Sequence, residues 1–171
     1  MLTDPQAAVL VLAVAGCVTD LRSRRIPNLL TLGGATAALL FHGVTGGASG
    51  LGWSAAGWFT GLALFLPVFA LRGIGGGDVK LLAALGAWLM PGATVWLAIY
   101  TALAGGVLAI AVAVNARYFG QALRNVWGLL MFWRVAGIGP HPGLTLESAR
   151  APRLPYALPI AAGLVLTLWL R

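Results

Sequence analysis

Six apolar runs, at roughly 6–21, 28–44, 53–71, 78–91, 93–114 and 154–170, divide almost the whole chain between them. Most approach the ~17–25 residues that a helix needs to cross a bilayer. The first and fourth are short, and each has an aspartate at one end. Hydrocarbon offers no water to the backbone N–H and C=O groups, so such runs must bond internally as helices. The connections are mostly short, and only 9% of residues are charged, against roughly 25% in a soluble domain. The expected fold is an all-α polytopic membrane bundle of about six transmembrane helices. Residues 1–171 are expected to form a single membrane-embedded domain.

Charge gives the bundle a direction. Arg22, Arg24 and Arg25 follow the first run, and Arg72 and Lys80 bracket the turn between the third and fourth. Arg117, Arg124, Arg134, Arg150 and Arg153 fall beyond the fifth. Ten of the eleven Lys and Arg thus share one side, with Arg171 alone on the other. The positive-inside rule places the ten in the cytoplasm and both termini outside. The net charge of +7 is accounted for by these topological anchors, so no nucleic-acid partner is expected. Val14-Ala15-Gly16-Cys17 has the form of a lipoprotein cleavage box. No Lys or Arg precedes it and three arginines follow soon after, so the first run is expected to stay as a helix.

Chemistry has few residues to work with. The lone Cys17 excludes an internal disulfide and any multi-thiolate zinc site. With two histidines and four acids, no metal and no cofactor is expected. His42 is read as an interfacial residue at the outer end of the second run, before an uncharged connection from Gly43 to Gly52. Trp53 and Trp58 suit the interface and helix packing, and Pro67 is expected to kink the third run. Met90-Pro91-Gly92 reads as a tight outer turn, and Gly105-Gly106 as a close helix contact. Val126 to Ala136, with two Trp, a Phe and an Arg, suggests a helix lying in the cytoplasmic interface. His141, between two prolines, reads as a surface residue, Glu147 as a loop acid, and Asp4 as an acid of the outer end.

That leaves Asp20 and Asp78. An acid at the edge of an apolar run needs a reason, because a charge in hydrocarbon costs about 2.5–3.5 kcal/mol even on the lenient insertion scale. Asp20 could simply pair with Arg24 four residues on, worth a few tenths of a kcal/mol, with Pro27 and Asn28 opening the next helix. Asp78 could be a helix cap after a flexible Gly75-Gly76-Gly77 turn. Gly73-x-Gly75 is not a nucleotide loop, since neither a third glycine nor a strand–helix unit accompanies it. Alternatively, the two acids end and begin runs on the same side, so their depths match and they can face each other. Such a pair shares one proton. The ionised member can then take a proton from water while the protonated one polarises a carbonyl. Small residues at 75–77 would let an extended peptide lie beside the carboxylate. Lys80, two positions on, lies away from Asp78 and reads as snorkelling toward headgroups.

Gly75-Gly76-Gly77-Asp78, followed by Val79-Lys80-Leu81-Leu82, resembles the GxGD signature of membrane aspartic proteases. Asp20 upstream of Arg24-Arg25-Ile26-Pro27-Asn28 resembles the type IV prepilin peptidases in particular. Leu154-Pro155-Tyr156-Ala157-Leu158-Pro159 is similar to the proline–tyrosine motif that opens their last helix. The resemblance runs over roughly 6–170. It implies that Asp20 and Asp78 are the catalytic pair, supported by Gly75, Gly77, Lys80, Arg24, Pro27, Asn28, Pro155 and Tyr156 as motif or substrate-binding residues. It implies a prepilin substrate with a basic cytoplasmic leader and a hydrophobic helix, cut at the inner face of the cytoplasmic (inner) membrane. Pilus assembly machinery is an implied partner. Without the N-terminal region and paired cysteines of the long enzymes, the chain is similar to the short Tad/Flp-type, and methyltransferase activity is not expected. Two rivals stay open on the residues alone. One is a small proton- or ion-coupled transporter, which would carry paired helical repeats; the other is a non-catalytic membrane subunit of a pilus or secretion assembly.

Overall fold

A computed structural model describes residues 4–141, 143 and 155–170. Pro142, Glu147, Arg150, Arg153, Leu154 and Arg171 lie outside the described residues, as does the side chain of Asp4. The described chain is helical, in the order α1 (Asp4–Ser23), α2 (Asn28–Ala70), α3 (Gly76–Asn115), α4 (Phe119–Ala136) and α5 (Ala157–Leu170). By length and composition α1, α2 and α3 can each cross a membrane, and α5 is a shorter apolar helix.

Both long helices are broken. In α2 the break is Gly47 alone (φ 61°, ψ −151°), a left-handed position that costs glycine nothing. The expected connection from Gly43 to Gly52 is otherwise helical, because one residue suffices to reverse the chain: a Cβ on Gly50 would collide with the His42 carbonyl. In α3 the break is Met90 (φ 63°, ψ 170°), whose extended ψ suits the residue before a proline. The expected kink at Pro67 ends nothing. Helix α2 runs on to Ala70, and the Pro67 carbonyl accepts from Leu71 N at 3.0 Å.

The first half of α3 is the centre of the molecule. Val79 and every residue from Leu81 to Ala87 are buried, and a helix buried on all sides must lie inside the bundle. Lipid is as apolar as leucine, so exclusion of water contributes little between helices, and close packing must hold them together. The second half of α2 supplies it with small residues. A Cβ on Gly61 would sit 2.7 Å from Ala83 Cα, and one on Gly57 would strike the Gly86 carbonyl. Helix α5 meets the second half of α3 in the same way, with a Cβ on Gly163 falling 2.6 Å from Thr101 N. Of the expected pair Gly105-Gly106, Gly105 faces Tyr156 and Gly106 faces open space. Helix α1 contributes Val9, Leu12 and Ala13 to the core and lies against α5, α3 and α2.

The break at Met90 frees carbonyls that an unbroken helix would satisfy, and Pro91 has no N–H for the carbonyl of Ala87. Side chains of α2 and of α3 itself take them. Ser54 Oγ donates to Ala87 O at 2.8 Å, and His42 Nε2 donates to Trp88 O at 3.2 Å. The Thr94 hydroxyl sits between the carbonyls of Gly86 and Met90, at 3.3 and 2.6 Å. His42 is therefore not the interfacial residue expected of it. It is 7% exposed, with its ring edge-on to Phe41. The unsatisfied carbonyl draws it inward. Trp53 is exposed, and Trp58 packs against the core.

Candidate active site

At the opposite end of the central helix segment, the relation of donor and acceptor is reversed. Helix beginnings expose N–H groups without partners, and here carboxylates accept from them. Asp78 occupies the first turn of α3, third from the capping residue Gly75. Its Oδ2 accepts from Gly75 N at 3.2 Å. It is therefore not the N-cap residue itself, as a capping role was expected to make it. Asp20 lies in the last turn of α1 and is 9% exposed. Its partner is not Arg24 four residues on but the far end of the bundle, where Ala157 N donates to Asp20 Oδ2 at 3.3 Å.

The start of α5 explains why that N–H is available. Pro155 and Pro159 have no N–H, Leu158 N turns back to Pro155 O at 3.2 Å, and Ile160 N to Tyr156 O at 3.3 Å. Ala157, 1% exposed, is left to present its N–H to the acid. Its carbonyl accepts from Cys17 Sγ at 3.1 Å, so two residues one turn apart on α1 hold the same residue of α5. A cysteine as positioning group and a backbone N–H as partner were both missed from sequence. Cys17 at three before Asp20, on the same helix face, was the available signal.

The structure brings Asp20 and Asp78 within electrostatic reach of one another, and the charge of Asp78 also reaches the Tyr156 phenol. Tyr156 is half-buried, with its ring centroid 6.3 Å from that of Phe65. Its hydroxyl lies 3.1 Å from where a Gly105 Cβ would be, so a larger residue there would have to displace the phenol by a few tenths of an ångström. Carboxylates, phenol and the Ala157 amide thus come from α1, α3 and the start of α5.

The glycines of the turn lie close to side chains of the chain itself. None of Gly75, Gly76 and Gly77 has a positive φ. A Cβ on Gly77 would lie 3.3 Å from Ile26 Cβ, and one on Gly76 at 3.3 Å from the Phe69 ring. Beside Gly76 and Gly77, Phe69 of α2 and Ile26 of the connection from α1 to α2 take up the room left by the missing side chains. Pro27 is the N-cap of α2, its carbonyl accepting from Leu30 and Thr31. Lys80 is exposed, as expected, but its Nζ donates to Asn28 Oδ1 at 2.9 Å. It tethers the start of α2 to the start of α3 instead of reaching freely toward headgroups. Arg24 is exposed at φ 52° and stands outside the cluster. Pro155 is half-buried beside Tyr156.

Among the described residues no three His, Cys, Asp or Glu side chains gather as a cation site requires. Gly143 N donates to His141 Nδ1 at 3.1 Å, and the imidazole stacks edge-on against Phe132. What remains is a helical bundle, three of whose helices are long and apolar enough to cross a membrane, with Asp20 and Asp78 within electrostatic reach of one another. Residues 7–110, which contain both acids, match the sequence model of the type IV leader peptidase family, and the chain belongs to that family. No curated protein and no solved structure matches it.

Proposed function

We propose that this chain is a membrane aspartic endopeptidase that removes the basic leader of Flp-type prepilins, with Asp20 and Asp78 as the catalytic pair. The observation that carries the reading is that Asp20 and Asp78, from different helices, lie within electrostatic reach of one another, each accepting from a backbone amide. Family membership supports it. Like charges so placed favour a state with one shared proton. The ionised member accepts a proton from a water molecule as its oxygen attacks the scissile carbonyl carbon. The protonated member donates to the carbonyl oxygen, giving a neutral tetrahedral diol. Collapse breaks the C–N bond, with a proton passing from the pair to the departing amine. The Ala157 and Gly75 amides, by this reading, hold one oxygen of each acid in place. Tyr156 closes the side toward α3, while Gly75, Gly77, Pro27, Asn28 and Lys80 keep the two cytoplasmic connections packed together.

The halves of α2 and α3, counted separately with α1 and α5, give six crossings. The clustered cations of residues 22–25, 72 and 80 then lie at the cytoplasmic face, the termini outside, and the acids just beneath that face. A basic leader in the cytoplasm joined to a hydrophobic helix in the bilayer would place its junction at this depth. Purified protein in detergent, incubated with a Flp-type prepilin, should release the leader without any ion gradient, which separates a peptidase from a transporter. Asp20→Asn and Asp78→Asn should each stop cleavage in a folded protein. Wild-type rates in either variant would refute the pair.

A further inference from the structure

Among the described residues helix α4 differs from every other helix: none of its residues is buried. At 3.6 residues per turn, Phe119, Leu123, Val126 and Leu130 share one face, with Trp127 beside them. Each is between 41% and 65% exposed. The opposite face carries Gln121, Arg124, Asn125 and Gly128, and it is internally wired. Arg124 Nη2 donates to Gln121 Oε1 at 2.7 Å, Gln121 Nε2 to Asn125 Oδ1 at 3.0 Å, and Asn125 Nδ2 to the Tyr118 hydroxyl at 2.7 Å. Over residues 118–128 the polar face is thus internally bonded, while Phe132 and Val135 continue that side and Arg134 ends the apolar one; among the described residues nothing buries the apolar face.

Charge identifies what covers that face. From Asn115 to His141 there are three arginines, at 117, 124 and 134, and no acid. The preceding turns of α3 expose Val107, Ile110 and Val114, an apolar surface that runs directly toward α4. We propose that α4 is a docking helix for an anionic lipid surface. Its apolar face would sink to the headgroup–acyl boundary, with Arg117, Arg124 and Arg134 paired to lipid phosphates. A surface-bound helix needs one apolar face, a cationic flank and modest overall hydrophobicity, and α4 meets each condition. The inference goes beyond interfacial placement, since it makes lipid charge the determinant, and it does not depend on the peptidase reading.

The test uses the full chain in nanodiscs with Cys17→Ala (or Cys17→Ser, should the first fold poorly), so that an introduced thiol is the only one. Single substitutions Leu123→Cys, Val126→Cys and Leu130→Cys are compared with Gln121→Cys, Asn125→Cys and Gly128→Cys for reaction with a water-soluble maleimide. In discs containing phosphatidylglycerol the first set should react about tenfold more slowly than the second, following the helical period. The contrast should shrink about fivefold with each of Arg117→Gln, Arg124→Gln and Arg134→Gln. Equal rates at all six positions would overturn the proposal. So would an undiminished contrast in pure phosphatidylcholine, which would make lipid charge irrelevant. A contrast that grows with the number of chains per disc would assign the face to a second copy instead. Leader cleavage in detergent is unaffected by any of these outcomes, so the two readings fail separately.

Discussion

The two ends of the central segment of α3 solve one problem with opposite chemistry. At the end broken by Met90, backbone carbonyls lack donors, and Ser54, His42 and Thr94 supply them. At the end begun by Gly76, and at the neighbouring start of α5, backbone amides lack acceptors, and Asp78 and Asp20 supply those. A hydroxyl donating to a carbonyl has spent its one proton, and such an end is finished. A carboxylate bound by one amide still has lone pairs left over, and two that sense each other share a proton between them. On the proposed reading, one end is therefore built to be stable and the other to react.

The contrast breaks most visibly with the acids themselves. Asp20→Asn and Asp78→Asn should each lower leader cleavage by about a thousandfold or more, with helical circular dichroism unchanged. The wild-type profile of kcat/KM against pH should be bell-shaped, as a pair sharing one proton requires. Proline is the next probe, because it deletes an N–H while leaving both acids in the sequence, although at position 75 its Cβ would also come 3.0 Å from Asp78 Oδ2. Ala157 is the first residue of α5, where proline's fixed φ is tolerated. Ala157→Pro removes an amide bonded to a charged group, worth about 1.5–3 kcal/mol, and cleavage should fall about 10–100-fold. Gly75, at φ −78°, also accepts the ring. Gly75→Pro should cost less than Ala157→Pro, since water can replace the amide at half-buried Asp78. An equal loss in both would show that the acids are held alike.

At the other end the sign of the experiment changes. Ser54→Ala or His42→Leu leaves a buried carbonyl unpaired and should reduce stability by about 1–3 kcal/mol. The measurement is a lowered Tm in detergent, with cleavage per folded molecule within about twofold of wild type. A loss of cleavage at unchanged Tm would instead join the two ends functionally. The smallest effect belongs to the exposed bond between Lys80 and Asn28. Lys80→Met should shift stability by roughly 0.5 kcal/mol and cleavage by less than about twofold. A tenfold loss would place Lys80 in substrate binding.

Some of this was legible in advance, and the division follows sequence distance. The contact of Asp78 with Gly75 spans three residues and is written in the order of the turn. Asp20 was identified by type and depth, yet its partner lies 137 positions away and is a backbone group, which no residue letter announces. His42 was misread because a histidine at the end of an apolar run usually sits at the interface. Only the break at Met90, bringing a free carbonyl to it, pulled it inside. The glycines of α2 were visible as small residues, but which helix they admitted was not.

The apolar runs by themselves determined that the chain must be helical, because lipid offers a backbone no other way to satisfy its hydrogen bonds. The positions of the acids at run ends determined that both would be found where helices end and begin. Tertiary structure decided the rest. It set Asp20 against the amide of Ala157, brought Ile26 and Phe69 against the glycine turn, and, among the described residues, buried none of α4. These outcomes depend on which surfaces can approach closely enough to touch, a property of packed pairs of helices that no single stretch of sequence contains.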